Sequence, residues 1–398
     1  MALATGFGAC KKKGAFGLPP CGDGICASNE PFVCPQDCGG IQISAGGEHT
    51  CTVKMADGLL WCWGHNTYGQ LGNGTLQTTA VPVATLVDAP VDAVFCGDAH
   101  TCTLLKNDRS VLCWGKNDSG QLGDGSTTDS ASPVAALGLD DIRLLTVGGA
   151  HTCALSADDG VWCWGWNEYG QLGVDPAARG QRHESTPIRV FGLPEVVRLS
   201  AGRVHTCALT RRGAVYCFGW NEYGQLGVLA SLDYSALPVR VQNLGEVVSL
   251  SAGSHHTCAV NTSGAVFCWG DNEYCQLGLQ DVAVSEYPRQ VSALGDCVSV
   301  AASRMHTCTV IRDGTVHCFG ANTSGQLGDG STVLGSSAPV QVAALLDVVY
   351  INTGGYHTCA IESCGTLWCW GFNHSGRLVP FVFVTLSLSL LFAGICIQ

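Results

Sequence analysis

His151-Thr152-Cys153-Ala154-Leu155, a turn at Asp158-Asp159-Gly160, Val161-Trp162-Cys163-Trp164-Gly165 and the loop Asn167-Glu168-Tyr169-Gly170-Gln171-Leu172-Gly173 follow in close succession. Short apolar runs on either side of a turn whose glycine supplies positive φ read as a β-hairpin. Upstream, Asp141 to Val147 alternates into another strand that stops at Gly148-Gly149. Downstream, after a variable loop, Pro187-Ile188-Arg189-Val190 reads as a short fourth strand, at an edge where its opening proline is acceptable. The unit predicts four short antiparallel strands.

The unit recurs seven times at a period of about 51 residues, each copy opening on His-Thr-Cys and continuing to Cys-Trp-Gly or Cys-Phe-Gly. A period in this range means an array or a propeller. Four strands per unit is the arithmetic of a propeller blade. The sequence therefore predicts an all-β, seven-bladed β-propeller over residues 41–379. Residues 1–20 read as an N-terminal tail, 21–40 as a small Cys-rich module and 380–398 as a hydrophobic tail.

The pattern Gly-x-x-His-Thr-x-Ala-Leu … Gly-x-Val-x-x-Trp-Gly-x-Asn-x-x-Gly-Gln-Leu-Gly resembles the regulator of chromosome condensation repeat. The resemblance covers about 85% of the chain, and Gln-Leu-Gly recurs in register at Gln70, Gln121, Gln171, Gln225, Gln276 and Gln326. It implies a seven-bladed propeller, and it implies action through protein recognition. For the founding member of the family, that action is guanine-nucleotide exchange on a small GTPase. The seventh repeat departs from the pattern: Gly376-Arg377-Leu378-Val379 stands where the others have Gly-Gln-Leu-Gly, and Pro380 follows at once.

A second departure is the cysteine pair in every repeat. The pairs are Cys51-Cys62, Cys102-Cys113, Cys153-Cys163, Cys207-Cys217, Cys258-Cys268, Cys308-Cys318 and Cys359-Cys369, each 10 or 11 residues apart across a hairpin turn. Cross-strand Cβ atoms at such positions come close enough to bridge. Fourteen of 24 cysteines lie in this register, without the tight spacing of zinc ligands. Disulfides, and hence an oxidising compartment, are expected: extracellular or cell-surface, with periplasm or outer membrane included. Cys96, Cys275, Cys297, Cys364 and Cys396 fall out of register, to pair among themselves or stay buried as small apolar residues.

Cys21, Cys26, Cys34 and Cys38 crowd the short module, where two disulfides allow three connectivities. The module resembles Cys-Gly-Asp-Gly-x-Cys … Cys-Pro-x-Asp-Cys units of bacterial surface proteins. Asp23, Glu30 and Asp37 offer hard oxygen ligands for calcium there, or form turns. Ala4 to Cys10 has the small residues of a lipoprotein signal's end, with Cys10 as the lipidated residue if translation starts upstream; otherwise Cys10 is an ordinary thiol in a tail. The uncharged stretch from Val379 to Gln398 is long enough to span a bilayer. Its alternatives are a closing strand from Phe381-Val382-Phe383-Val384 and the altered end of a gene product.

The formal net charge of −12, with 13% charged residues, leaves no basic footprint for nucleic acid. One histidine per repeat (His49, His100, His151, His205, His256, His306, His357) reads as a repeating structural element bonded within its own blade. The loop asparagines read as turn formers, although five of the chain's asparagines stand in Asn-x-Ser/Thr sites: Asn73, Asn117, Asn261, Asn322 and Asn373. Neither a phosphate-cradling loop nor a nucleophile elbow stands out, so no catalytic residue is assigned and a non-enzymatic monomer is expected. Most tryptophans should be core between blades. Trp166 and Trp220 lie beyond the strand glycine and are candidates for exposure. Together with Arg179, Arg182 and His183 of the longest loop, and Tyr234 of the next, they form the candidate partner-binding set, because loops displayed on one face of a rigid ring are where propellers bind.

Overall fold

The computed structural model describes residues 41–378 other than 229–232, 332, 344 and 364. They form 27 strands and one helical turn, Pro176–Arg179. The strands make seven sheets in which spatial order follows chain order; six have four strands and the seventh has three. Blades 1 to 7 span 41–84, 91–135, 142–190, 196–240, 247–290, 297–341 and 348–371. First strands of successive blades adjoin, and that of blade 1 also adjoins blade 7, so the ring closes. Cys10, the Cys-rich module with Asp23, Glu30 and Asp37, the tail from Val379 onward, Cys364 and Cys396 lie outside the described residues.

In blade 3 the strands are Ile142–Val147, His151–Ser156, Val161–Trp166 and His183–Val190. The fourth begins four residues earlier than the sequence predicts. Its register passes from Cys163↔Ile188 to Gly165↔Glu184, so Pro187 sits in a bulge instead of opening the strand. An edge strand with a bulge absorbs the missing donor. The preceding loop shortens accordingly. It holds the helical turn, whose first amides are capped by Asp175 Oδ1 accepting from Ala177 N at 2.9 Å.

Cysteine stands opposite cysteine across the second and third strands of every blade, as in Cys153↔Cys163, with Cα atoms 4.1 Å apart. All seven expected bridges form. The core is divided into clusters that straddle neighbouring blades. Cys153, Leu155, Val161, Cys163 and Leu172 of blade 3 pack with Val196, Leu199, Ala208 and Phe218 of blade 4. At the closure, Ile43 and Trp63 of blade 1 meet Cys359, Ile361 and Leu367 of blade 7.

The rings of the repeated histidines bond between blades and not within their own, except that His306 Nδ1 also meets Ser303 Oγ of its own blade at 2.6 Å. Each reaches the threonine of the next: His49 Nε2 to Thr101 Oγ1 at 2.8 Å, His100 to Thr152 at 3.0 Å, and so on to His357, which returns to Thr50 at 2.9 Å. Each threonine hydroxyl donates to the carbonyl of the preceding blade's loop, as Thr152 does to Gln121 O at 3.0 Å. The acceptor carbonyl fixes the hydroxyl as donor, so Nε2 of the histidine carries the hydrogen. Where the strand aromatic is tryptophan, its indole joins the same carbonyl, as Trp164 does at 2.9 Å. In the divergent seventh repeat the loop persists: Arg377 O accepts from Thr50 Oγ1 and from Trp63 Nε1, each at 2.9 Å. A backbone carbonyl does the work, so the change of side chain is tolerated.

Candidate functional site: an aromatic arc on one rim

First strands end, and third strands end, at the same rim of the ring; the hairpin turns after the second strands lie at the opposite one. At the first rim the chain leaves each third strand through the residue after its glycine: His65, Lys116, Trp166, Trp220, Asp271, Ala321 and Phe372. This residue sits five positions before the loop glutamine. In blade 1 His65 Nδ1 lies 3.1 Å from Gln70 Nε2, and in blade 5 Asp271 Oδ2 accepts from Gln276 Nε2 at 2.8 Å. Tryptophan carries no acceptor. The buried amide nitrogens of Gln171 and Gln225 accordingly have no hydrogen-bond partner among the described residues, and neither has that of Gln326, whose counterpart is Ala321. A buried donor left unpaired costs roughly 1–3 kcal/mol. Trp166 and Trp220 thus stand in adjacent blades where the residue gives the loop glutamine no acceptor, as Ala321 does in blade 6.

The tertiary structure joins them. Trp166 packs edge-on against Tyr169 (ring centroids 5.5 Å apart), Tyr169 against Trp220 (5.7 Å), Trp220 edge-on against Tyr223 (5.3 Å) and against His255 (5.1 Å), and Tyr223 stacks on His255 (5.5 Å). All five rings are partly exposed. Strand register sets His183 opposite Trp166 and Tyr234 opposite Trp220. Arg182 is exposed and pairs through Nη1 with Glu168 Oε1 at 2.6 Å. Arg179 closes the helical turn. Tyr169, Tyr223 and His255 were not singled out from the sequence. The available signal was Asn-Glu-Tyr at 167–169, 221–223 and 272–274, shared by blades 3 to 5 alone; it sits inside the turn motif and reads as turn chemistry.

Burial, with Arg203 and Arg304 nearby, lowers the His255 pKa to about 4, so the ring is neutral at pH 7. The Tyr223 phenol is pushed up, first by partial desolvation and then by the carboxylates of Glu222, Asp271 and Glu273. At the axis, a cavity of about 80 Å³ is lined mainly by glycine and alanine, with Asp98, Arg203 and Arg304 among its residues. Asp98 is shared between the two guanidinium groups, lying 3.5 Å from Arg203 and 3.4 Å from Arg304, so the trio keeps one net positive charge.

Half of the ten tryptophans are core: Trp63, Trp114, Trp164, Trp269 and Trp370 are buried, whereas Trp61, Trp162 and Trp368, whose side chains point to the other sheet face, are partly exposed. Each loop asparagine serves its turn, as Asn167 Oδ1 does by accepting from Leu172 N at 3.0 Å. Asn117 and Asn322 are buried in this role. Cys96, Cys275 and Cys297 are unpaired thiols. Burial raises the Cys96 pKa to about 12 and that of Cys297 to about 11, so both are protonated at neutral pH. His49, Cys51 and Cys96 approach one another as potential metal ligands, but Cys51 is tied in its disulfide and offers no thiolate.

The RCC1-like domain matches residues 3–343, and the regulator of chromosome condensation repeat matches 348–377. The chain belongs to the RCC1-like family. This RCC1-like chain is 32% identical over 245 residues to the ultraviolet-B receptor UVR8 of Arabidopsis thaliana, across 60% of the chain and 55% of the receptor. It spans about half or less of the length of the curated relatives it matches. Among solved structures, human WBSCR16 superposes with a TM-score of 0.73 at 25% identity, covering 80% of this chain and 90% of that one. Prp20p of Saccharomyces cerevisiae, described with binding properties toward Gsp1p and histones, superposes with a TM-score of 0.72 at 22% identity, covering 84% and 83%. That likeness is one of fold.

Proposed function

We propose that this RCC1-like propeller is a non-enzymatic, secreted or cell-surface module that holds a protein partner on the rim bearing Trp166, Tyr169, Trp220, Tyr223 and His255. The observation that carries the reading is the contiguous run of five part-exposed rings, outside the blade-to-blade core and built where it leaves buried amides unpaired. Aromatic anchors of this kind dominate protein interfaces. Arg182, His183 and Tyr234 belong to the same rim as flanking contacts, with Arg179 beside them in the helical turn. A disulfide in every blade supports an oxidising compartment.

The test is site-specific photocrosslinking in cells that make the protein. A benzophenone side chain at position 222, within the arc, should yield a discrete adduct with a protein, and one at 212, in the hairpin turn of the opposite rim, should not. Adducts from 212 alone would move the interface to the other face. Intact-mass analysis with alkylation before and after reduction checks the compartment: fourteen or more protected thiols support it, and free alkylation of the folded protein removes it. The second reading, guanine-nucleotide exchange, has the family resemblance behind it. Accelerated release of labelled GDP from a small GTPase would bring it forward.

A further inference from the structure

We infer that the aromatic arc is a docking surface for an arginine- or lysine-bearing segment of the partner, received between Trp220, Tyr223 and the carboxylates of blades 4 and 5. The inference rests on the reading of the arc as the partner-binding rim. Three observations carry it.

The first is how the same rim treats three of its other aromatic rings. Lys116 Nζ lies 5.4 Å from the Tyr68 ring centroid, the Arg304 guanidinium 5.1 Å from that of Tyr356, and the Arg377 guanidinium 4.9 Å from that of Phe372. A cation over a ring face is attracted by the ring quadrupole. For these rings of the first and seventh repeats the chain supplies the cation itself, from the second, sixth and seventh repeats. Over Trp166, Tyr169, Trp220 and Tyr223 no cation of the chain is found among the described residues.

The second is the charge beside those rings. Glu222 and Glu273 are exposed and Asp271 is buried, and all three act on the Tyr223 phenol. Asp271 accepts from Glu273 N and from Gln276 Nε2, both neutral donors. None of the three carboxylates is ion-paired among the described residues. Of the nearby cations, Arg203 and Arg304 at the axis share the carboxylate of Asp98 and keep one net positive charge against the three carboxylates, and Arg182 in the outer loop is paired with Glu168. Rings and carboxylates together therefore present a negative, partly desolvated surface whose complement is a guanidinium or ammonium group.

The third is that His255, the ring on which Tyr223 stacks, is neutral at pH 7 and adds no opposing charge.

The experiment uses the full chain, purified with its disulfides intact, and follows tryptophan emission during titration with an uncharged-ended octapeptide of alternating arginine and glycine. The matching glutamate–glycine octapeptide and a neutral tetrasaccharide run beside it. Saturable binding of the arginine peptide is expected, at least tenfold tighter than that of the glutamate peptide and weakened several-fold between 50 and 500 mM salt. Trp220→Ala and the pair Glu222→Gln with Glu273→Gln should each weaken it about tenfold. Glu246→Gln, an exposed carboxylate on the opposite rim, controls for the chain's overall acidity and should leave it unchanged. Circular dichroism melts on every variant separate a folding defect from a lost contact. Binding that falls as much with Glu246→Gln as with the arc variants would overturn the inference. So would preference for the tetrasaccharide, or no binding of the arginine peptide. If the adduct at position 222 forms while the peptide fails, the docking rim stands and only its cationic specificity falls.

Discussion

At the residue scale, the histidine belt makes a definite prediction about acid. Burial lowers the pKa of His49, His100, His205, His256 and His306 to about 3 and that of His151 to about 4, with His357 lowered as well. The unfolded chain takes up these protons near pH ~6.5, and the folded chain does not. The belt's contribution is therefore complete above about pH 6.5 and is lost progressively as pH falls toward the folded values. Thermal melts between pH 7.5 and 4.5 should show the melting temperature dropping below pH 6.5, before the carboxylates titrate. A flat profile would contradict a neutral belt. A companion test is Thr152→Val, which keeps shape but removes the partner of His100 Nε2–H and the donor to Gln121 O. Gln121 O keeps the Trp164 indole, but leaving His100 Nε2–H buried and unpaired should cost about 1–3 kcal/mol, read by denaturant unfolding.

At the element scale, the hairpin carries both the sequence signal and the staple. Each bridge closes a loop of 10 or 11 residues, which predicts a loss of about 2–3 kcal/mol on removing one pair, for example with Cys153→Ala and Cys163→Ala together. The bridges differ in access. Thirteen of the fourteen cysteines are fully buried; Cys369 is partly exposed. Under limiting reductant, peptide mapping should find Cys359–Cys369 opening first, because exchange requires access to sulfur. Earlier opening of a central-blade bridge would show that local unfolding, and not static exposure, governs access. The outer strands teach the opposite lesson about legibility. Pro187 was readable as an edge residue, but its bulge, and with it the strand's true start at His183, follows from pairing with the third strand and has no local signature.

At the scale of the whole molecule, closure depends on the seventh repeat, where the sequence motif fails and the geometry holds. Gly376 lies against Ala80 of blade 1, as Gly69 lies against Ala131 of blade 2. Arg377 donates through Nη1 to Gly47 O at 3.3 Å, but its Nε is buried without a partner among the described residues. Because the carbonyl makes the closing bonds, Arg377→Gln should leave the melting temperature unchanged or raise it. A fall of several degrees would assign closure to the guanidinium over Phe372.

The sequence alone determined the ring. A period near 51 residues, glycine at turns that need positive φ, and cysteines facing across hairpins are local or strictly periodic facts, so blade count, strand order and all seven bridges were legible without tertiary information. The histidines were legible as structural but not in their direction, since nothing in one repeat says that its bond crosses to the next blade. The arc was half legible. Trp166 and Trp220 stood out because they break a repeating position; Tyr169, Tyr223 and His255 did not, because they occupy positions that read as turns. Only the closed ring brings His255 of blade 5 to 5.1 Å from Trp220 of blade 4. The contacts between blades depend on the rotation from one blade to the next, and that rotation is fixed by packing around the whole circle.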